Sequence, residues 1–197
     1  MALDLRRSLE RAGRDLESAV ELFLNSPSVQ ARLEGTGLVS LQATEDLGFL
    51  GVTARATGSP RDTRADHPWG WYAHSMLPVS SYPTGDVHAR ARVRWMEAQR
   101  SIQFIQTLLG HLPKSETRVQ VPSPKPRQLT VAMTEGWRGE IVHVAITDQA
   151  GRFQRYKIVD PSFRNWTALA IALRDQQISD FPLCNKSFNL SYCGFDL

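Results

Sequence analysis

Apolar residues recur at helical spacing from the start of the chain. They lie three, four or seven positions apart, at Leu5, Leu9, Leu16, Val20 and Phe23. On a helix of about 3.6 residues per turn these positions share one face, so an amphipathic helix is predicted that ends at Asn25 or Ser26. Pro27 fits the first turn of a helix and begins a second, shorter one, which is expected to stop at Gly35 or Gly37.

The longest regular pattern predicts another helix, from Gly85 to about Leu112. Its apolar positions again recur every three or four residues: Val87, Ala91, Trp95, Ala98, Ile102, Ile105, Leu109 and Leu112. One side of this helix is therefore expected to face a core. A row of polar side chains lies next to the apolar face of this helix, and in it Glu97 is three residues from both Arg94 and Arg100. Ion pairs along the helix are predicted there.

Three runs in the last third of the chain alternate or are rich in β-branched residues, at 129–133, 141–147 and 153–159. The segment Asp148-Gln-Ala-Gly151 lies between the second and third runs and supplies residues that favour turns. A small antiparallel sheet of about three strands is therefore predicted.

Two helices are predicted after the sheet. Pro161 ends the third strand, and Asn165 or Thr167 is expected to cap a helix that runs to about Arg174. The last helix begins near Pro182. Combined with the earlier helices, these elements predict an α+β fold that is rich in helix and contains one small sheet.

Proline-rich and polar stretches divide the chain into parts. Residues 57–84 are rich in Pro, Gly, Asp and aromatic residues and are predicted to form a long ordered loop. Its aromatic side chains, which either anchor an interface or pack in the core, are Trp69, Trp71 and Tyr72. Residues 113–128 are expected to form a stiff crossing between a helical part, 1–112, and the sheet with its following helices, 129–197.

Composition narrows the class of protein. Hydrophobic residues make up 42% of the 197 residues and the formal net charge is only +3, which fits a globular protein and gives no sign of a nucleic-acid surface. No apolar run approaches the ~20 residues that cross a bilayer. The histidines lack zinc-site spacing, and no glycine-rich phosphate loop is present. Cys184 and Cys193 are interpreted as buried structural thiols.

Four ordered motifs carry a resemblance to a known superfamily. They are Leu47-Gly-Phe-Leu-Gly-Val-Thr-Ala-Arg-Ala-Thr-Gly58, the helix Gly85-Asp-Val to Ser101, the series from Glu135-Gly-Trp-Arg-Gly-Glu140 to Pro161-Ser-Phe163, and the ending Ser187-Phe-Asn-Leu-Ser-Tyr-Cys-Gly-Phe-Asp-Leu197. Together they resemble the large subunit of formate-hydrogenlyase-type nickel-iron hydrogenases and the hydrogenase-derived subunit of respiratory complex I, the NADH:quinone oxidoreductase.

The ending resembles the hydrogenase segment whose Cys-x-x-Cys holds the nickel-iron centre, but Ser191 and Gly194 stand where those cysteines belong. A thiolate is a soft metal ligand, whereas a Ser hydroxyl is a poor one and Gly has no side chain. The resemblance therefore predicts that no metal binds here. It also implies two vestigial catalytic candidates, Arg138 and Asp196. Without a metal, Arg138 is expected to pair with a carboxylate such as Asp196 or Glu97.

The resemblance covers only the carboxy-terminal half of the family. The amino-terminal region, which holds a first Cys-x-x-Cys in hydrogenases and a quinone-contacting His and Tyr in the complex I subunit, has no counterpart in the sequence. The chain thus looks like a carboxy-terminal half, encoded as a short protein or expressed as a fragment.

The sequence is compatible with three functions. The first is a non-catalytic scaffold of an oxidoreductase like complex I or formate hydrogenlyase, the second is the carboxy-terminal part of a working complex I-type electron-transfer subunit, and the third is a free-standing binding module. No cofactor is expected on the chain itself; NAD, quinone and iron-sulfur clusters would come through partner subunits. The expected partner is an iron-sulfur subunit, without nucleic acid, and any membrane contact is indirect. The expected location is the cytoplasm, or the periphery of the cytoplasmic membrane.

Overall fold

The fold combines α-helices with one small antiparallel sheet. The computed structural model describes residues 2–112 and 118–195. The α-helices in these ranges are α1 Ala2–Leu24, α2 Pro27–Leu33, α3 Leu41–Leu47, α4 Gly51–Arg55, α5 Thr63–Asp66, α6 Val87–Gly110, α7 Ser162–Ala172 and α8 Phe181–Phe188. The strands are β1 Leu129–Gly136, β2 Gly139–Thr147 and β3 Phe153–Val159. The predicted α+β class is confirmed.

The sheet has the order β1-β2-β3, and both pairs are antiparallel. Gly136 pairs with Gly139 at the tight end of the first hairpin, and a bulge lies between Ile146 and Thr147 opposite β3. The predicted strands are confirmed, with β1 running three residues further, to Gly136. The alternating pattern identified the sheet because pleated strands turn successive side chains to opposite faces.

The amino-terminal half of α6 runs through the core. Asp86 caps the helix, since its carboxylate accepts a hydrogen bond from the backbone N–H of Ala89 at 2.7 Å. Val87 and Val93 are buried, and the main apolar cluster joins α6 to α7 and α8 through residues such as Leu169 and Phe188. This packing places the carboxy-terminal segment against the middle of the fold.

The predicted amphipathic helix α1 is present but lies on the outside. Only Leu24 of this helix is buried, and it runs along the outer half of α6. Leu16 and Phe23, which belong to the predicted apolar face, are 38% and 43% exposed. The periodicity therefore predicted the helix correctly, although most of its apolar face is not buried. No helix in residues 2–112 or 118–195 is both long and apolar enough to cross a membrane.

The helix starts agree with the sequence predictions only in part. Helix α3 begins at Leu41, where the Ser40 side chain caps it by accepting a hydrogen bond from the Ala43 N–H at 3.1 Å. Helix α7 begins at Ser162 rather than at Asn165 or Thr167. The start of α8 next to Pro182 and the stop of α2 just before Gly35 agree with the predictions.

The long loop after α4 contains short helical turns. One is α5, and another is a 3-10 turn at Gly70–Ala73. Trp69 and Trp71 are 61% and 47% exposed, which excludes the core-packing alternative for these two side chains and leaves an interface anchor as a prediction. The start of the proline-rich crossing, 113–117, lies outside the described residues.

Candidate functional site

Three of the sequence motifs meet at one buried arginine. Arg55, on α4, is 1% exposed; its Nε lies 2.7 Å from Oε1 of Glu97, and its Nη1 lies 2.8 Å from Oε1 of Glu135. Asp62 adds a third carboxylate at 3.6 Å. We call these four residues the Arg55 junction. It ties α4 to α6 and β1, so side chains far apart in sequence act as one structural unit.

The charges of the Arg55 junction stabilise one another. Burial acts to lower the pKa of Arg55, but the charges of Glu97, Glu135 and Asp62 outweigh it and raise this pKa above its ordinary value. Burial likewise acts to raise the pKa of Asp62, and the hydrogen bonds and charge of Arg64 together with the charge of Arg55 hold it below its ordinary value. Arg55 and Asp62 therefore both stay charged near neutral pH.

The glycines of two motifs allow the backbones beside this junction to touch. Gly51, at the start of α4, has φ +62°, and a Cβ there would lie 2.3 Å from Cα of Gly139. Asn165 bridges the same two segments: its side chain accepts from the Leu50 N–H at 3.0 Å and donates to the carbonyls of Leu50 and Arg138. Asn165 was predicted to cap α7, and it instead lies buried within that helix.

Three further arginines hold the carboxy-terminal end of α8. Arg94 donates to the Ser187 carbonyl at 2.5 Å and to the Phe188 carbonyl at 3.1 Å, while Arg138 Nε donates to the Asn189 carbonyl. Arg90 Nε donates to Ser187 Oγ at 2.8 Å; its other nitrogens donate to the carbonyls of two glycines, Gly85 and Gly37. We call Arg90, Arg94 and Arg138 the arginine clamp.

The arginine clamp places positive charge where a helix presents its unpaired carbonyls. Burial lowers the pKa of Arg90 to about 9 and that of Arg94 to about 10, because their direct acceptors are neutral oxygens. The partial negative charge at a helix carboxy terminus favours nearby cations by about 0.3–1 kcal/mol. Asn189 ends α8 in the left-handed conformation, φ 53°, and leaves its carbonyl free to accept from Arg138.

One of the two carboxylates predicted as partners of Arg138 is corrected. Glu97, one of the two proposed carboxylates, is bound by Arg55 across the fold. The ion pairs expected along α6 are also wrong, since Arg94 donates to α8 and Arg100 donates to Ser80 Oγ at 2.6 Å. Asp196, the other proposed partner and site candidate, lies outside the described residues.

Ser191 and Gly194, which the sequence predicted to stand at the metal-ligand positions of the family, belong to a series of backbone caps. Ser191 Oγ accepts from the Gly194 N–H at 3.1 Å. Ser162 Oγ in turn accepts from the Ser191 N–H at 3.0 Å, and Asp160 Oδ1 accepts from the Ser162 N–H at 2.7 Å. We call these four residues the serine network. It joins the end of β3 and the start of α7 to the carboxy-terminal segment.

The serine network does not fit a nickel-iron centre. A Cβ atom at Gly194 would lie 2.3 Å from Cγ of Asp160 and within 2.7 Å of both carboxylate oxygens. Real Cβ contacts are not that short, so the Asp160 carboxylate fills the space that a cysteine at position 194 would need. The donor set is equally unsuitable, since Ser191 offers a hydroxyl already bonded to Gly194 and position 194 offers no donor.

The two thiols differ in their surroundings. Cys184 is buried as predicted, and burial raises the pKa of its thiol, which opposes formation of a reactive thiolate. Cys193 is exposed, so its interpretation as a buried structural thiol is wrong. It lies in a 3-10 turn, Cys193–Phe195, beside the buried Gly194.

Asp160 and Ser162 were missed as site residues. The run Asp160-Pro161-Ser162 matches a local pattern in which an Asp side chain accepts from the backbone two residues on. That pattern predicts the contact between Asp160 and Ser162, but it contains nothing about Gly194. The approach of Asp160 to Gly194 arises only when α7 packs on the carboxy-terminal segment.

Comparison with known proteins identifies the family. The family model described as "Respiratory-chain NADH dehydrogenase, 49 Kd subunit" matches residues 1–129 and 122–196. A carbon monoxide-induced hydrogenase of Rhodospirillum rubrum is 33% identical over 88% of this chain and 48% of its own length. Formate hydrogenlyase subunit 5 of Escherichia coli is 28% identical over 98% of this chain and 34% of its own length. An NADH-quinone oxidoreductase subunit of Deinococcus radiodurans is 31% identical over 87% of this chain and 50% of its own length.

The chain thus spans half or less of the length of these curated relatives, and the shared part fits their carboxy-terminal half. A solved structure of the membrane-bound sulfane sulfur reductase, an archaeal respiratory membrane complex, matches with a TM-score of 0.91 at 23% identity. The match covers 100% of this chain and 55% of that one, and it shows the shared fold. The chain belongs to the family of the 49 Kd subunit of respiratory-chain NADH dehydrogenase, the family that the four motifs indicated.

Proposed function

We propose that this chain is a non-catalytic scaffold in a membrane-associated oxidoreductase complex related to complex I or formate hydrogenlyase. The serine network is the observation that carries the proposal, because hydroxyls and a carboxylate occupy the positions that a nickel-iron centre would need. The Arg55 junction and the arginine clamp support it, since both connect the elements around that network through direct ion pairs and hydrogen bonds.

In this role the chain contributes a folded surface that holds its partner subunits in position, and it performs no chemistry. The chain itself carries no cofactor in this proposal, and its partner is an iron-sulfur subunit whose clusters carry the electrons. NAD and quinone bind through other parts of the assembly. The complex holds the chain at the periphery of the cytoplasmic membrane. The relatives that are named hydrogenase, hydrogenlyase subunit and NADH-quinone oxidoreductase subunit support this assignment.

A second function is favoured by one observation. Because the chain spans half or less of its relatives, it would also fit the carboxy-terminal part of a working complex I-type electron-transfer subunit. In that case the chemistry belongs to an amino-terminal half, and the present residues support it structurally. The two proposals differ in whether the assembled complex reduces quinone through a subunit that contains this chain.

Native pull-down tests the scaffold proposal. A tag on the chain, in its native host, is expected to recover an iron-sulfur subunit of the complex I type at about equal stoichiometry in mild detergent. A strain that carries the same tag on an unrelated protein is the control. Recovery of the chain alone would contradict the proposal and favour a free-standing module. The second function predicts that the recovered complex has quinone reductase activity. It also predicts that this activity is lost when Arg94 is replaced by Met, while the complex stays intact.

A further inference from the structure

Strand β1 lies at an edge of the sheet and turns part of its backbone outward. The order β1-β2-β3 gives β1 a neighbouring strand on one side only. Just before the first pair of this ladder, the Thr147 N–H donates to the Gln128 carbonyl at 3.0 Å. Bonded and non-bonded pairs alternate in an antiparallel ladder, so the backbone groups of Leu129, Val131 and Met133 point away from β2.

Trp69 confirms this orientation and marks one end of the open edge. Its indole N–H donates to the outward carbonyl of Met133 at 3.1 Å. Within residues 2–112 and 118–195, no hydrogen bond reaches the outward backbone groups of Leu129 or Val131. The open part of the edge is therefore Leu129 to Val131, and it presents two N–H donors and two carbonyl acceptors.

The edge of β1 lacks the features that usually protect an edge strand. Natural edge strands often carry charged residues, Pro or a bulge that prevents pairing with another chain. The eight residues of β1 include no Lys, Arg or Pro, and their register with β2 is regular throughout. The opposite edge strand, β3, carries Arg155 and Lys157 and pairs with β2 through a bulge. Of the two edges, that of β1 is therefore better suited to receive a further strand.

A concavity of about 500 Å³ lies beside this edge, between β1 and the loop that carries Trp69. Successive side chains of a strand placed in it would point to opposite faces of the sheet. Those level with Leu129 and Val131 would lie beside side chains that are 66% and 54% exposed, so apolar residues fit there. The side chain between them would point to the face that carries Ala132 and His143.

Two cations flank the beginning of β1. Lys125 and Arg127 are both exposed, and neither has an ion-pair partner among the described parts of the chain. Asp148 lines the same concavity as Arg127, but it is paired with Arg152 at 3.2 Å. A strand that runs antiparallel to β1 reaches this end with its last residues. Carboxylates at those positions would complement the two free cations.

We propose that the edge of β1 binds an extended acidic segment of a partner polypeptide, which joins the sheet as a fourth, antiparallel strand. Two apolar residues of the segment lie level with Leu129 and Val131, and its carboxylates lie near Lys125 and Arg127. Main-chain hydrogen bonds provide the affinity, and the alternate side chains and the charges provide the specificity. The proposal rests on the sheet alone, so its outcome is independent of the scaffold role.

Titration with the peptide acetyl-Thr-Val-Ser-Val-Glu-Glu-amide, followed by NMR of the isotope-labelled chain, tests this proposal. The amide proton signals of Leu129 and Val131 are expected to move downfield because these N–H groups gain acceptors. Those of Thr130 and Ala132, which face β2, should move less. N-methylation of both valines removes the donors that face β1 and is expected to weaken binding about tenfold or more. N-methylation of the serine is the matched control, since that N–H points away from the sheet.

Variants of the chain test the same edge. Val131→Pro removes an outward N–H while leaving the ladder to β2 intact, and it is expected to weaken binding about tenfold or more. Val131→Thr keeps the N–H and should bind like the native chain. Arg127→Asn is expected to weaken binding by about two- to fivefold, and Asn tolerates the left-handed backbone at this position, φ 53°.

Several results would overturn the proposal. They are equal affinity for the two N-methylated peptides, no shift of the Leu129 and Val131 amides at millimolar peptide, or unchanged binding by Val131→Pro. Shifts of the same two amides that depend on protein concentration without peptide would also overturn it, because a second copy of the chain would then occupy the edge. If Val131→Pro disturbs the signals of β2, the pair of N-methylated peptides decides the question on the native chain.

Discussion

The carboxylate of Asp160 has a role that its position at the end of β3 does not suggest. It caps the Ser162 N–H and also fills the volume next to Gly194. Because that volume is closed, a cysteine introduced at position 194 alone would not have the space that a metal ligand needs. Ser191 Oγ is also engaged, since it accepts a hydrogen bond from the Gly194 N–H.

A double-mutant cycle tests this contact. Gly194→Ala is expected to destabilise the protein by about 1–3 kcal/mol, the usual cost of an overpacked site, and most of this cost should disappear in an Asp160→Ala background. Urea unfolding measures each variant. Gly110→Ala is the control, since a Cβ there meets its nearest neighbour at an ordinary 3.6 Å. An equal cost of Gly194→Ala in both backgrounds would show that the two residues do not compete for space.

Asp62 gives the Arg55 junction a predictable response to acid. Its pKa in the folded protein is below the ordinary value, so the unfolded chain binds more protons when the pH falls below about 4. The stabilising effect of Asp62 is therefore complete above that unfolded pKa and is lost as the pH falls through the lower folded pKa.

The variant Asp62→Asn is expected to unfold more easily at pH 7, by about 3–5 kcal/mol if it behaves as a broken buried ion pair. Its free energy of unfolding should also fall less steeply than that of the native protein between pH 5 and pH 3. Urea unfolding across this range measures both effects, with the exposed Asp15→Asn as control. Parallel pH curves for the native protein and Asp62→Asn would be evidence against the assigned role.

Among the elements, α8 depends most on side chains from elsewhere in the fold. It has only eight residues, and its last carbonyls are bound by Arg94 from α6 and Arg138 from the turn after β1. Such a short helix is marginal alone and owes its stability to tertiary contacts. The conformation of the carboxy-terminal segment therefore depends, through the arginine clamp, on the position of α6.

Arg94→Met is expected to loosen this segment. The variant removes hydrogen bonds from a charged donor, which are worth about 1.5–3 kcal/mol each, and leaves the Ser187 and Phe188 carbonyls without it. Amide hydrogen exchange should speed up at least tenfold in residues 185–194. The matched control is Arg92→Met on the same helix, whose Nε donates to His88 Nε2 at 3.2 Å. Equal exchange in the two variants would mean that Arg94 does not hold α8.

Local patterns predicted the elements well and their partners poorly. The strands and α6 were predictable because alternation and three-to-four spacing reflect a single face of one element. The pairing of Glu97 was not, since a buried Arg55 from α4 binds it in place of Arg94 and Arg100, the neighbours three residues away. Asn165 shows the same limit: its type suggested a helix cap, whereas the backbones of Leu50 and Arg138 supply its hydrogen bonds.

On the scale of the whole molecule, the four motifs that carried the family resemblance meet at the Arg55 junction and the arginine clamp. The Arg55 junction joins three of them, and the arginine clamp attaches the last. The motifs were recognisable in sequence, but their contacts span from about 40 to more than 90 positions of the chain, as in Arg55–Glu97 and Arg94–Ser187. Spacing along the chain holds no information on such contacts, so the hydrogen bonds of the serine network became visible only in the structure.

The central claim is that this family member serves its complex without a nickel-iron centre. The most direct test is the nickel content of the native complex, purified through a tag on this chain and measured by inductively coupled plasma mass spectrometry per mole of chain. The account predicts nickel far below one atom per chain, together with iron that fractionates with the iron-sulfur partner when the complex is dissociated. Nickel close to one atom per chain that remains with this polypeptide would contradict the account.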